Sequence, residues 1–262
     1  MIDDLADLGG LDDLPDISDL LDAGDDAGLL DHVDGADLPG GLDIPDPFGE
    51  PTLAEDVGGF DWLGGYEPYV PDWDAERFDG FGDPSGYADF WFLQEWPTSC
   101  AVATQTMVLE SVTGMGLDEA TLADFAASMG WFDPEIGTYP MDAGRLLEHH
   151  GLETDIYFSA DITEIAEALE RGDHVLVGVN AQEIWAPLRD SEGNAVQQAS
   201  EMHSVWVTGL DQSPDGTIHV IVNDPGTPEG QMMPVALEDF VNAWEDTGNH
   251  AVIARQAAGG LA

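Results

Sequence analysis

The stretch Gln94-Glu-Trp-Pro-Thr-Ser-Cys100-Ala-Val-Ala-Thr104 decides how this chain is read. Residues 99–112 are apolar and helix-compatible, and Pro97 sets the point before which that helix cannot begin, with Thr98 or Ser99 as its cap. Cys100, the one cysteine present, therefore falls at a helix start. Orphan backbone N–H groups and the helix dipole favour a thiolate there. The backbone N–H of Cys100 also points to where an oxyanion would form, and Gln94, six residues upstream, offers a side-chain amide as a second donor.

Working outward, two strands complete the chemistry. His203 begins the run His203-Ser-Val-Trp-Val-Thr-Gly209, and Asp224 ends the run Ile218-His-Val-Ile-Val-Asn-Asp224. Ser213-Pro-Asp-Gly216 joins them as an antiparallel hairpin. In that pairing Asp224 lies across from His203 and holds its Nδ1–H, so that a nucleophile, a base and an orienting carboxylate are all present. Asn223 competes for the third role. Strand alternation puts Asn223 and Asp224 on opposite faces, so only one can serve, and the Asp-Pro-Gly turn favours Asp224. His219, on the strand that carries Asp224, is the fallback base.

The surrounding elements define the fold class. Helical patterns cover residues 119–129, with Leu122, Phe125, Ala126 and Met129 on one face, and then 141–150, 163–171 and 237–244. Strand signals cover 154–158, 175–180, 204–209, 218–223 and 251–254. Helices first and an antiparallel sheet after make an α+β pattern.

The quoted Gln94-to-Cys100 stretch resembles the corresponding stretch of papain-like cysteine peptidases. Met202-His203-Ser-Val-Trp-Val-Thr-Gly-Leu-Asp211 and Val222-Asn-Asp224-Pro-Gly226 are similar to the His and Asp strands of one branch. That branch holds the double-glycine leader peptidases of bacteriocin exporters and their stand-alone relatives. The resemblance covers about residues 87–254. It implies a papain-like fold, with N-terminal helices packed on a C-terminal antiparallel sheet. It also implies a thiol peptidase with Cys100 as nucleophile, His203 as general base and acid, Asp224 as orienter and Gln94 in the oxyanion hole.

Composition bounds the partners. The 262 residues include 54 acidic side chains against 5 Arg and no Lys, a formal charge of -49. Electrostatic binding to nucleic acid or to an anionic membrane is excluded in practice at this charge. The partner expected is a peptide or protein substrate, with basic flanks attracted. A lone cysteine allows no intramolecular disulfide. The opening Met-Ile-Asp-Asp-Leu-Ala-Asp-Leu-Gly-Gly10 lacks the features of a secretory signal, and no stretch approaches the ~20 apolar residues of a membrane span. The expectation is a cytoplasmic protein, with signal-less export open. No Cys/His pair has zinc spacing and no phosphate loop is present, so no cofactor or metal is expected. Asp190-Ser-Glu-Gly-Asn194 reads as a turn rather than a calcium loop.

Residues 1–86 differ from the rest, being dominated by Asp, Gly, Pro and Leu, with Arg77 as their one basic residue. They are read as an acidic low-complexity arm, mostly disordered, with short helices at 17–21 and 27–33 and an aromatic strap over about 60–92. Residues 87–262 form the peptidase-like domain. Two other functions fit the same residues: a catalytically silent adaptor whose acidic arm captures a basic partner or masks the cleft, and a transglutaminase-like acyl transferase.

Overall fold

The computed structural model describes residues 80–256. The helices expected at 17–21 and 27–33, and most of the aromatic strap, lie outside the described residues.

A sheet of seven strands forms one layer. Its order is β2 (Leu152–Tyr157), β7 (Ala251–Gln256), β3 (His174–Asn180), β4 (Met202–Gln212), β5 (Ile218–Asn223) and β6 (Met233–Ala236), all pairings being antiparallel. The short β1 (Phe81–Gly82) also pairs with β4, at Leu210 and Gly209, just past the last β3 pairing at Val207. Phe81 and Gly82 therefore join the sheet ahead of Tyr87, from which the domain was expected to start. This approach requires glycine. A Cβ on Gly209 would meet Pro84 Cγ at 2.6 Å and the Phe81 carbonyl at 2.8 Å. The residue between the two β4–β5 registers, Thr208, is bulged out of the ladder and donates its hydroxyl to the Ile221 carbonyl at 3.2 Å.

The helices are α1 (Pro84–Tyr87), α2 (Cys100–Thr113), α3 (Glu119–Ser128), α4 (Arg145–His149), α5 (Ile162–Glu170), α6 (Ala181–Trp185) and α7 (Leu237–Glu245). Residues 101–109 of α2 are buried on every side, so it is the central helix rather than an amphipathic one. Gly114, in the left-handed conformation at φ 65°, ends it and returns its N–H to the Glu110 carbonyl at 2.8 Å. Two buried polar side chains on α2 fix its neighbours. Gln105 Oε1 accepts the Leu146 N–H at 3.1 Å and so positions α4. Thr104 and Ser204 share a hydrogen bond of 3.1 Å between their hydroxyls, which ties α2 to β4.

The core between α2 and the sheet contains Met107, Leu109, Leu146, Leu147, Leu176 and Trp206, each 2% exposed or less. Burying side chains of this size stabilises by roughly 1.5–3 kcal/mol each. Truncating one, as in Leu109→Ala, costs about 2–5 kcal/mol because the cavity collapses only in part.

Two expectations change here, and four short elements are added. Residues 141–150 do not form one helix: a 3₁₀ turn at Pro140–Asp142 is followed by α4, with Gly144 between them. A Cβ at Gly144 would meet Val252 Cγ1 at 3.1 Å, so the chain presses on the sheet where a continuous helix would have to pass. Met129, expected on the buried face of α3, caps its end and is 49% exposed. The elements β1, β6, α1 and α6 have two to five residues each and carry no periodicity to read.

The charge imbalance is visible in the ion pairs. Arg145 lies between Asp142 and Glu148, Arg171 between Glu167 and Asp173, Arg189 between Glu238 and Asp239, and Arg255 between Glu153 and Asp155. Every described Arg thus straddles two carboxylates, and the described acids far outnumber these four cations. No described helix is long and apolar enough to cross a membrane.

Candidate active site

Cys100 is the first residue of α2 and is half-buried in the wall of a cleft of about 250 Å³. His203 lies on the same cleft, which also takes in Gly137, Gly178, Met202 and His250. Two elements set their spacing. Thr104, one turn along α2 from Cys100, bonds to Ser204, the residue after His203. Helix and strand are therefore joined one residue from the histidine.

The ring of His203 is nearly enclosed. Its Nε2 lies 2.6 Å from Asp224 Oδ1, and Cys100 lines the same cleft and acts on the charge of the ring. Burial disfavours the imidazolium, but hydrogen bonds donated by the ring to Asp224 and Cys100, and the charges of those groups, outweigh it and raise the pKa from 6.5 to about 10. Both neighbours thus favour the imidazolium. Trp185, at the end of α6, packs against the ring with centroids 5.4 Å apart and donates its indole N–H to Asp224 Oδ2 at 2.8 Å. Asp224 is fully buried, and Oδ1 also accepts the Gly226 N–H at 2.7 Å. Its backbone is pinned as well: its N–H donates to the Gly230 carbonyl at 2.8 Å, and its carbonyl accepts the Trp91 indole N–H at 2.6 Å.

Two details of the sequence reading are corrected. The carboxylate holds Nε2 rather than Nδ1, which leaves Nδ1 as the ring nitrogen for Cys100. Nor does Asp224 lie across from His203. The ladder ends at Trp206 opposite Asn223, and three further steps bring Gly226 level with His203. A Cβ on Gly226 would meet His203 Cε1 at 2.7 Å and Nε2 at 2.9 Å. Asp224 thus stands beyond the strand end, on a turn that carries its carboxylate to the far nitrogen of the ring.

Asn223 faces elsewhere. Its amide donates to the Tyr87 carbonyl at 3.0 Å and its Oδ1 accepts the Met232 N–H at 3.0 Å. His219 sits opposite Asp211 near the hairpin turn, outside the cleft residues. His250 is buried in the cleft wall, with Nε2 3.0 Å from the Pro140 carbonyl. Gln94 donates its backbone N–H to the Pro225 carbonyl at 2.9 Å, which joins it to the Asp-Pro-Gly turn. Its side-chain amide donates to the Trp96 carbonyl at 2.6 Å, in the turn that leads to Cys100.

Trp185 and Trp91 went unread in the sequence. Neither sits in a periodic pattern, and the contacts that give them meaning span 39 and 133 residues. Asp190 accepts the N–H groups of Glu192 and Asn194 on one oxygen, which folds that segment into a tight turn.

Helices packed on an antiparallel sheet, with a cysteine opening the central helix and a histidine on the facing strand, make this a papain-like fold of the cysteine peptidase class. The chain belongs to the Peptidase_C39 like family, whose model matches residues 88–252. It is 28% identical over 196 residues to an uncharacterized protein of Mycobacterium tuberculosis, covering 65% of this chain and 82% of that protein, and a Mycobacterium bovis protein matches equally. Among solved structures it is similar to a C39-like peptidase from Bacillus anthracis, at 17% identity, 68% and 98% coverage of the two chains and a TM-score of 0.46. The peptidase domain of Streptococcus ComA, a bi-functional ABC transporter involved in a quorum sensing pathway, matches at 19% identity, 64% and 98% coverage and a TM-score of 0.45.

Proposed function

We propose that this chain is a thiol-dependent peptidase that uses Cys100, His203 and Asp224, assisted by Gln94. The observation that supports it most is the enclosed imidazole, with Asp224 on Nε2 at 2.6 Å and Cys100 on the same cleft acting on its charge. The thiolate of Cys100 attacks a peptide carbonyl carbon, and the π electrons move to oxygen. The backbone N–H of Cys100 and the second amide N–H of Gln94 stabilise that oxyanion. As the C–N bond breaks, His203 gives its proton to the leaving amine. Water, deprotonated by His203, then attacks the thioester; the C–S bond breaks, releasing a carboxylic acid and regenerating the Cys100 thiolate beside the protonated His203. Asp224 keeps the ring oriented and favours its protonated form. The surplus of acidic residues attracts substrates with basic flanks.

Iodoacetamide alkylation at pH 6, read by mass spectrometry, tests the reading. An unassisted thiol of pKa ~8.5 is under about 1% thiolate there. Cys100 is expected to react at least tenfold faster than such a thiol, and an equal rate overturns the reading. Cys100→Ala is expected to abolish covalent trapping by a peptide-based electrophile. Amine incorporation in place of hydrolysis would make the chain an acyl transferase instead.

A further inference from the structure

Glu119 is a carboxyl group that the chemistry above does not use, and it is buried to 4% exposure in the first turn of α3. A carboxyl removed from water costs stability unless its oxygens are satisfied. Here Oε2 accepts the Glu95 N–H at 3.0 Å, while Oε1 is buried with no hydrogen-bond partner. Burial raises its pKa, and contacts with Ser99 and the Glu95 N–H pull the other way. A methionine of similar volume would fill the same space without the desolvation cost, so packing alone does not account for a carboxyl there.

What Glu119 touches is the segment that leads into the nucleophile. Residues 91–99 contain no helix or strand, and a few bonds hold them in place. Gln94 is tied to Pro225 through its backbone and to Trp96 through its side chain. Ser99 is tied to Trp96 through both its N–H, at 3.2 Å, and its hydroxyl, at 2.9 Å. Besides Pro225 and the Pro134 carbonyl, which accepts the Thr98 hydroxyl at 2.9 Å, Glu119 supplies an anchor from outside, at the peptide that joins Gln94 to Glu95. Without an acceptor, that N–H would turn toward water and loosen the Gln94–Glu95 peptide between the ties to Pro225 and Trp96.

We infer that Glu119 is a positioning residue: its carboxyl oxygen clamps the Glu95 N–H and thereby aims the Gln94 amide at the oxyanion formed on Cys100. The inference rests on the peptidase reading for its consequence, but the clamp itself is testable without any activity. Glu119→Gln keeps an accepting oxygen, and Glu119→Met keeps the volume without one. Hydrogen exchange at the Glu95 amide, followed by NMR, is expected to be at least tenfold faster in Glu119→Met and within threefold of the parent in Glu119→Gln. Unchanged exchange in Glu119→Met overturns the clamp, whether or not the chain cleaves peptides.

A second readout separates positioning from general support. A peptide aldehyde adds the Cys100 sulfur to its carbonyl carbon, placing the new oxygen at the oxyanion position, whereas iodoacetamide alkylation needs the thiolate only. Aldehyde affinity is expected to fall 10- to 100-fold in Glu119→Met and to recover in Glu119→Gln, with the alkylation rate within twofold throughout. If affinity and alkylation fall together, or if Glu119→Gln is as impaired as Glu119→Met, the inference is wrong. A parent protein that neither alkylates quickly nor binds the aldehyde, yet shows the exchange difference, refutes the peptidase reading and leaves the clamp standing.

Discussion

Asp224 Oδ1 lies 2.6 Å from His203 Nε2, and its other oxygen is held by the Trp185 indole at 2.8 Å, so one buried carboxylate is shared between an imidazole and an indole. Removing the indole donor leaves Oδ2 without its partner in a fully buried position. That omission costs about 1–3 kcal/mol. Trp185→Phe, which keeps the ring contact and loses the N–H, is expected to lower the melting temperature by several degrees and peptide turnover by roughly tenfold. Differential scanning fluorimetry and a peptide assay check this. Unchanged stability would mean that water replaces the indole N–H.

Asp224→Asn removes the charge that favours the imidazolium. His203 should then lose much of its raised pKa, and turnover should fall by about 100-fold or more. NMR titration of the His203 ring in the two proteins provides the direct measurement. A ring that titrates identically in both would show that Asp224 is only a packing group.

The raised pKa of His203 also predicts a pH dependence of stability. Its pKa rises from 6.5 unfolded to about 10 folded, so its contribution is complete below pH 6.5 and is lost as pH rises through about 10. His174 runs the other way. Burial against Tyr87 and Trp206 lowers it to about 4, so its contribution is complete above pH 6.5 and is lost as pH falls toward 4. Urea midpoints measured between pH 4 and 10 are expected to peak near neutrality. Asp224→Asn should flatten the alkaline side, and His174→Phe the acid side.

Gly226 has no room for a side chain. Gly226→Ala would put a methyl 2.7 Å from His203 Cε1 and 2.8 Å from Trp185 Cζ2. The fold should survive, because this turn is at the end of the sheet, while the ring is displaced from Cys100. The expected signature is normal circular dichroism with turnover at least tenfold lower, by analogy with the sensitivity of rates to small misplacements. Normal turnover would show that the turn relaxes without moving the ring.

With 54 acidic residues and four described Arg already straddling carboxylate pairs, added cations should screen the remaining repulsion. The melting temperature is expected to rise strongly with NaCl or KCl. A flat response would mean that the folded domain does not feel the charge.

Much of this was legible in the sequence because it depends on local patterns. A proline, an apolar run and a cysteine fix a helix start within one residue, and the valine-rich runs at 203–209 and 218–223 mark two strands whose connecting turn declares itself. Alternation says only that Asn223 and Asp224 cannot both serve; the Asp-Pro-Gly turn and the family resemblance favour Asp224. The ring nitrogen was not legible. Which nitrogen the carboxylate reaches depends on how far the β4–β5 ladder runs before the chain turns, and on a bulge at Thr208 that no propensity announces.

What the sequence by itself determined was the order of the candidate groups: an amide at Gln94, a thiol opening a helix at Cys100, an imidazole on a strand at His203 and a carboxylate at a turn at Asp224. Each follows from short-range rules of caps, alternation and turn residues. The tertiary structure alone decided how those groups face one another. Trp185 on the carboxylate, Glu119 on the Glu95 peptide, and the Thr104–Ser204 bond that spaces helix from strand join residues 24 to 100 positions apart. Such contacts come from packing the helical layer on the sheet, so no local stretch of sequence carries them.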